Sequence, residues 1–212
     1  MKILYIDTSS SYLFAAVLED NNILNQIKER LDKELSSKAL LKINQILEAS
    51  NVKIGEIDKI LVVNGPGSFT GIRIGLTIAK TLAWAKKISI IPISSLDVMA
   101  LSCSNENLDY IVPVIDARRG FVFGAIYNIK KGSYDLEEQY IDLNELINKL
   151  SNLGKNICFI TNDNIDVPFK HIDYNPNIEK VVEKYKDTIS VNPHSIDANY
   201  LKRTEAEESH DC

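Results

Sequence analysis

The residues that could do chemistry gather in Asn64-Gly65-Pro66-Gly67-Ser68-Phe69-Thr70-Gly71-Ile72-Arg73, which joins an apolar strand-like run, Ile60 to Val63, to a long apolar helix. A glycine-rich turn from strand to helix is where backbone amides can cradle a phosphate. The spacing excludes the two common forms of that device. A Walker loop needs four residues between its glycines and then Lys and Ser/Thr, whereas five separate Gly65 from Gly71 and Ile72-Arg73 follows. A dinucleotide fingerprint needs two residues before its last glycine, and three lie between Gly67 and Gly71. Gly65, Gly67 and Ser68 therefore stand as candidate phosphate contacts of neither standard kind, and Ser68 equally suits the N-cap of the helix that follows.

Other catalytic patterns are missing. Gly67-Ser68-Phe69-Thr70-Gly71 misses the Gly-x-Ser-x-Gly elbow by one residue, and His171, His194 and His210 lie far from it in sequence. Cys103, Cys158 and Cys212 form no Cys-x-x-Cys pair, so no metal site is expected. The net charge of −5 argues against broad neutralisation of nucleic-acid phosphates by the chain alone. Local positive charge exists: Arg73, Lys80, Lys86 and Lys87 follow one helix, and Arg118-Arg119 sit in the turn Asp116-Ala117-Arg118-Arg119-Gly120. Phosphate contact competes there with solvated lysines and with arginines that merely hold a turn. No run is long enough for a membrane span or a signal peptide, and a cytoplasmic setting is the expectation.

These residues are positioned by elements the pattern makes legible. Strands are expected over Lys2 to Ile6, Tyr12 to Leu18 and Ile23 to Arg30, and then a helix from Ser37 to Ser50 capped at Ser36-Ser37. Ile57 to Val63 reads as a buried strand, Thr70 to Lys87 as a helix, Ile88 to Ile93 as a strand and Leu96 to Ser102 as a helix. The order β-β-β-α-β-α-β-α is that of an RNase-H-like half, the unit of the two-lobed actin-like ATPase fold, an α/β architecture. The polar stretch Ser104 to Asn107 then separates an N-terminal lobe, 1–104, from a smaller, incomplete C-terminal lobe, 105–212. In that second lobe strands are expected over Tyr110 to Ile115, Phe121 to Ile129 and Asn156 to Thr161, and helices over Leu143 to Leu150 and Ile178 to Tyr185. An acidic end, Thr204 to Cys212, is expected to fray.

On that fold Asp7, followed by Thr8-Ser9-Ser10-Ser11, occupies the place of an acid that directs magnesium and phosphate. No glycine beside it frees amides for a ligand, so a polar turn competes with that role. Gly71, Gly75, Ala79 and Ala83 recur every fourth position of one helix, a stripe that lets another backbone approach closely. Contact with the chain's own sheet and contact with another subunit remain equal readings of it.

Gly65-Pro66-Gly67-Ser68-Phe69-Thr70-Gly71-Ile72-Arg73-Ile74-Gly75, with Ala79-Lys80-Thr81-Leu82-Ala83 after it, resembles the TsaB (YeaZ) family. Ile6-Asp7-Thr8-Ser9, Ser94-Ser95-Leu96, Ile115 to Gly120, Tyr200-Leu201 and Glu205-Ala206-Glu207 extend the resemblance over nearly the full length. It implies a non-catalytic subunit in the synthesis of threonylcarbamoyladenosine beside the tRNA anticodon. Its partners would be a TsaD-like transferase paralogue and a TsaE-like ATPase, with a homodimer when alone and tRNA met only through the complex. The His-x-x-x-His metal pair of that paralogue is replaced by Ser95 and Met99, and neither ligates as imidazole does. The first two helices would form the interface through Leu40, Ile43, Leu47, Gly71, Arg73, Gly75, Ala79 and Lys80. No cofactor of its own is implied, although ATP or ADP could sit at the joint with the paralogue. Leu35 stands where many relatives carry a histidine before the cap. Two rivals remain: an independent ATP-using enzyme built on Asp7 and the glycine loop, and a tRNA-binding module using Arg73, Lys80, Arg118 and Arg119.

Overall fold

The computed structural model describes residues 1–103, 107–151, 153 and 156–202. The first sheet holds β1 (Lys2–Asp7), β2 (Tyr12–Glu19), β3 (Asn22–Arg30), β4 (Lys59–Gly65) and β5 (Ser89–Ser94) in the order β3-β2-β1-β4-β5. β1 runs antiparallel to β2 and parallel to β4, and β4 runs parallel to β5. β1, β2 and β4 are buried almost throughout, which is why they read as continuous apolar runs, whereas the edge strand β3 alternates exposed and half-buried residues. Helices α1 (Leu35–Ala49) and α2 (Phe69–Lys86) cover one face, and α3 (Ser95–Leu101) follows β5.

The second sheet repeats the plan. β6 (Tyr110–Asp116), β7 (Phe121–Asn128), β8 (Ser133–Asp142), β9 (Ile157–Ile160) and β10 (Lys170–Ile172) adopt the order β10-β9-β6-β7-β8 with the same parallel and antiparallel partners. α4 (Leu143–Leu150) and α5 (Ile178–Tyr185) complete it. Between β9 and β10 no helix stands where the first half has α2, so the two-lobed actin-like ATPase fold carries a reduced second lobe.

Three apolar layers hold this together. Leu35, Ala39, Ile43 and Leu47 of α1 and Ile72, Leu76 and Ala79 of α2 pack on the outer face of the first sheet. Between the two sheets lies a second layer to which both contribute, with Leu96 and Met99 of α3 and Val181 and Val182 of α5 inside it. Leu146 and Leu150 of α4 close a third layer on the far side of the second sheet. Because the middle layer draws on both halves, the lobes share one core.

Several expectations change. α1 starts at Leu35 after a 3₁₀ turn, Asp32–Glu34, and has no side-chain cap. Ser36 and Ser37 therefore lie inside the first turn, where Ser37 Oγ donates to the Glu34 carbonyl at 3.0 Å. Leu35 is itself helical and buried in the core. The strands β8 and β10 were not expected. Residues 186–202, part of the lobe expected over 105–212, leave the second sheet and return to the first: Val191 bridges Ile90 of β5, and Ile196 enters the layer beneath α2. The expected boundary at 104/105 and the acidic end from Thr204 fall outside the described residues.

Candidate functional site

The glycine loop is built against the end of β1. Gly67 has φ +150°, and a Cβ there would fall 2.3 Å from the Ser9 carbonyl oxygen, so only glycine lets the two backbones meet. The Ser68 N–H donates to that same Ser9 carbonyl at 2.7 Å. Ser68 Oγ accepts the Gly71 N–H at 3.2 Å and caps α2. One turn on, Thr8 Oγ1 donates to the Gly71 carbonyl at 2.7 Å. The Gly65 backbone in turn packs against the Asn199 carbonyl.

Asp7 is enclosed. Its Oδ1 accepts the Ser9 N–H at 2.8 Å and the Ser9 hydroxyl at 2.7 Å, while Oδ2 accepts the hydroxyl of Tyr174, from the second half, at 3.2 Å and that of Tyr5 at 3.4 Å. Burial pushes its carboxyl above the ordinary value against the pull of those four donors, and burial likewise drives the Tyr5 and Tyr174 phenols well up. Within the chain the Ser68 amide and both Asp7 oxygens are already engaged, while the Ser68 hydroxyl serves as the acceptor that caps α2. Asp7, Gly67 and Ser68, expected as nucleotide or phosphate contacts together with Gly65, form a clamp between β1, the loop and α2.

Beside the clamp, between the lobes, a cleft of about 1040 Å³ is lined by Ser10, Thr70, Arg118, Phe123, Asp163 and Tyr174 among others. The turn bearing Arg118 and Arg119 places both in the left-handed region, at φ +68° and +56°. The turn is held by backbone bonds and by Asp116, whose Oδ1 accepts the Arg118 N–H at 2.8 Å, so the guanidinium groups are not its supports.

The small stripe of α2 faces inward. A Cβ on Gly75 would fall 2.2 Å from Thr8 Oγ1 and one on Gly71 2.0 Å from the Thr8 carbonyl oxygen, and Ala79 is fully buried. Ile43 and Leu47 of α1 are core residues too. Ile43, Leu47, Gly71, Gly75 and Ala79 thus serve the chain's own sheet, which corrects their assignment to a subunit interface; Leu40, at 54% exposure, is open, as is its neighbour Leu41 at 56%. Arg73 and Lys80 meet the returning segment 186–202. Arg73 Nε donates to the Tyr200 hydroxyl at 2.9 Å, with its guanidinium carbon 3.7 Å from the centre of the Phe69 ring, and Lys80 Nζ donates to the Ile196 carbonyl at 2.7 Å. Asn199 adds a backbone bond to the Asn64 carbonyl at 2.7 Å, so this strap fastens the loop as well as α2.

A cluster absent from the sequence reading joins the lobes at Asp97 of α3. Lys184 Nζ reaches its two oxygens at 2.8 and 2.7 Å, Tyr134 donates at 2.6 Å, and Tyr185 donates as well. Burial opposes ionisation of Asp97, but Lys184 and the two hydroxyls outweigh it and hold the carboxyl below its ordinary value. The available signal was one acid in the otherwise apolar run Leu96-Asp97-Val98-Met99-Ala100-Leu101. Ser95 and Met99 beside it are buried, with the Ser95 hydroxyl donating to the Pro66 carbonyl.

This arrangement has known counterparts. The family model for tRNA N6-adenosine threonylcarbamoyltransferase, TsaD, matches residues 21–193. The Bacillus subtilis tRNA threonylcarbamoyladenosine biosynthesis protein TsaB is 30% identical over 98% of this chain and 96% of its own length. The Escherichia coli protein of the same name is 34% identical over 60% of this chain and 55% of its own. Among solved structures, an uncharacterized Pseudomonas aeruginosa protein similar to peptidase YeaZ superposes with a TM-score of 0.80 at 20% identity, covering 95% of this chain and 99% of that one. That likeness establishes the shared fold. With a relative of this identity matched over nearly its whole length, the chain belongs to the TsaB (YeaZ) family.

Proposed function

We propose that this chain is a non-catalytic accessory subunit in the synthesis of threonylcarbamoyladenosine on tRNA, and that it binds and activates a TsaD-like transferase paralogue. Family membership sets the pathway. The observation that carries the subunit role is the outer face of α1, where Leu40 and Leu41 lie open side by side while Leu35, Ala39 and Ile43 are buried behind them. A helix that keeps an apolar pair in water is suited to packing on a partner helix. The enclosed Asp7 and the buried Ser95 and Met99 support a role without chemistry of its own. A TsaE-like ATPase as a third member, a homodimer through the same face when the paralogue is absent, and a cytoplasmic setting belong to this reading. No helix of the described residues is long and apolar enough to cross a membrane. An ATP or ADP at the joint with the paralogue belongs to this reading as well.

Co-purification with the paralogue, followed by a threonylcarbamoylation assay, tests this. The double variant Leu40→Asp/Leu41→Asp changes exposed side chains, so it should unfold at the wild-type temperature, lose the complex and leave the paralogue inactive. Full affinity and full activity in that variant would refute the α1 face as the contact.

A further inference from the structure

The exposed aromatic side chains among the described residues are Phe69, Trp84 and Tyr200, at 46%, 66% and 42% exposure, and all three lie on one surface formed by α2 and the strap. Tyr200 stacks on Phe69 with ring centres 5.4 Å apart, and Trp84 meets His194 edge-on at 6.3 Å. Positions 69, 73, 80 and 84 fall along one side of α2, so the two aromatic groups stand roughly 22 Å apart with Arg73 and Lys80 between them. Lys87 extends the line past Trp84 while Lys86 points to the other side of the helix, and residues 69–87 contain no acid. The strap adds Lys186 and Lys202 against Asp187 and Asp197. In a chain of net charge −5, this surface is therefore net positive, and the remainder is more acidic than the total.

We infer that this surface is a contact for RNA, taking phosphates on Arg73, Lys80 and Lys87 and stacking unpaired bases on the exposed rings of Trp84 and Tyr200. An acidic protein segment would need the cations but not the aromatic faces spaced along them. A flexible single strand uses both, since every base has a π-face and every nucleotide a phosphate. The surface lies on the strap side of α2, away from the side chains of Ile74 and Ile78 that pack into the core layer shared with α1. RNA and a partner on α1 can thus be held together. The inference rests on the proposed tRNA pathway for the class of nucleic acid, not for the location.

Trp84 is the only tryptophan, so its fluorescence reports the contact directly. The full chain is titrated with an RNA hairpin of the anticodon arm, with inorganic polyphosphate and with an oligoglutamate peptide, at several salt concentrations, and assembly with the paralogue is measured in parallel. The expected result is saturable quenching by the RNA alone. The slope of log K against log salt should be about −2.1 for three cations, falling to about −1.4 in Lys87→Ala, which still assembles with the paralogue. No saturable quenching at low salt, or equal quenching by polyphosphate, would overturn the inference. So would tighter binding of oligoglutamate than of RNA, or loss of assembly in the lysine variant, since the surface would then be a protein contact. Loss of assembly in Leu40→Asp/Leu41→Asp with RNA quenching retained would separate the two readings.

Discussion

Gly75→Ala should change sign with the residue at position 8. α2 lies close to the end of β1 because Gly75 offers no side chain: an added Cβ would meet Thr8 Oγ1 at 2.2 Å, while Thr8 Cβ stands at 3.5 Å, an ordinary contact. The new methyl must displace a hydroxyl that donates to the Gly71 carbonyl at 2.7 Å in a buried place. Losing that bond costs about 1 kcal/mol and overpacking a further 1–3 kcal/mol or so, against a gain of about 1 kcal/mol from alanine in a helix. The net is a loss of roughly 2 kcal/mol, or about 4–8 °C in Tm for a chain of this length. In Thr8→Ala the obstructing oxygen is gone, and Gly75→Ala should then stabilise by up to about 1 kcal/mol, a coupling of roughly 3 kcal/mol between the two sites. Gly71→Ala is the control, because its Cβ would fall 2.0 Å from the Thr8 backbone oxygen, which no substitution at position 8 removes. Urea unfolding of the single and double variants measures all of this. Additive effects of Gly75→Ala and Thr8→Ala would refute the account, and a stable Gly75→Ala that fails only to bind its partner would return the stripe to a subunit interface.

Asp97→Asn should cost about 2 kcal/mol near neutral pH, less than a fully buried ion pair because Lys184 is 40% exposed. Since the folded carboxyl is held below its ordinary value, that contribution is present above the unfolded pKa and is lost as pH falls through the lower folded one. Urea midpoints of variant and wild type should therefore converge on acidification; a gap that widens would refute the assignment. Asp7 behaves in the opposite sense: its folded pKa is raised, so its contribution is complete below the unfolded value and lost as pH rises through the folded one. Asp7→Asn should flatten that pH dependence, and a wild-type stability that climbs with pH relative to Asp7→Asn would disprove it. Ala79→Trp, at a fully buried position, should abolish folding rather than partner binding alone, as circular dichroism would reveal.

The strand order of the first half was legible because β1, β2 and β4 are interior strands, and burial on both faces leaves nearly unbroken apolar runs. The strand β8, Ser-Tyr-Asp-Leu-Glu-Glu-Gln-Tyr-Ile-Asp, was hidden because an edge strand with one wet side needs little apolar content, and β10 spans only three residues. Sequence also recognised the small stripe but could not name its neighbour, since a close approach looks the same whether the other backbone is in the same chain or another. The roles of Arg73 and Lys80 depend on contacts more than a hundred residues away, at Tyr200 and Ile196, and no local pattern encodes them. Asp97 was passed over for the same reason: its partners come from β8 and α5.

The two enclosed carboxylates give the chain its mechanical character. Asp7 on β1 and Asp97 on α3 belong to the first half, and each is bound by tyrosine hydroxyls from the second, Tyr174 in one case and Tyr134 and Tyr185 in the other. Lys28 donating to Asn175 at 2.8 Å and the strap along α2 tie the halves at further points, around a core layer that both sheets share. Hinge closure around a ligand requires an interface that opens at small cost. Here opening would part Asp97 from Lys184 and its tyrosine donors and divide an apolar layer as well. These contacts oppose relative movement of the two halves. The same contacts set the position of the α1 face relative to the aromatic and basic surface of α2.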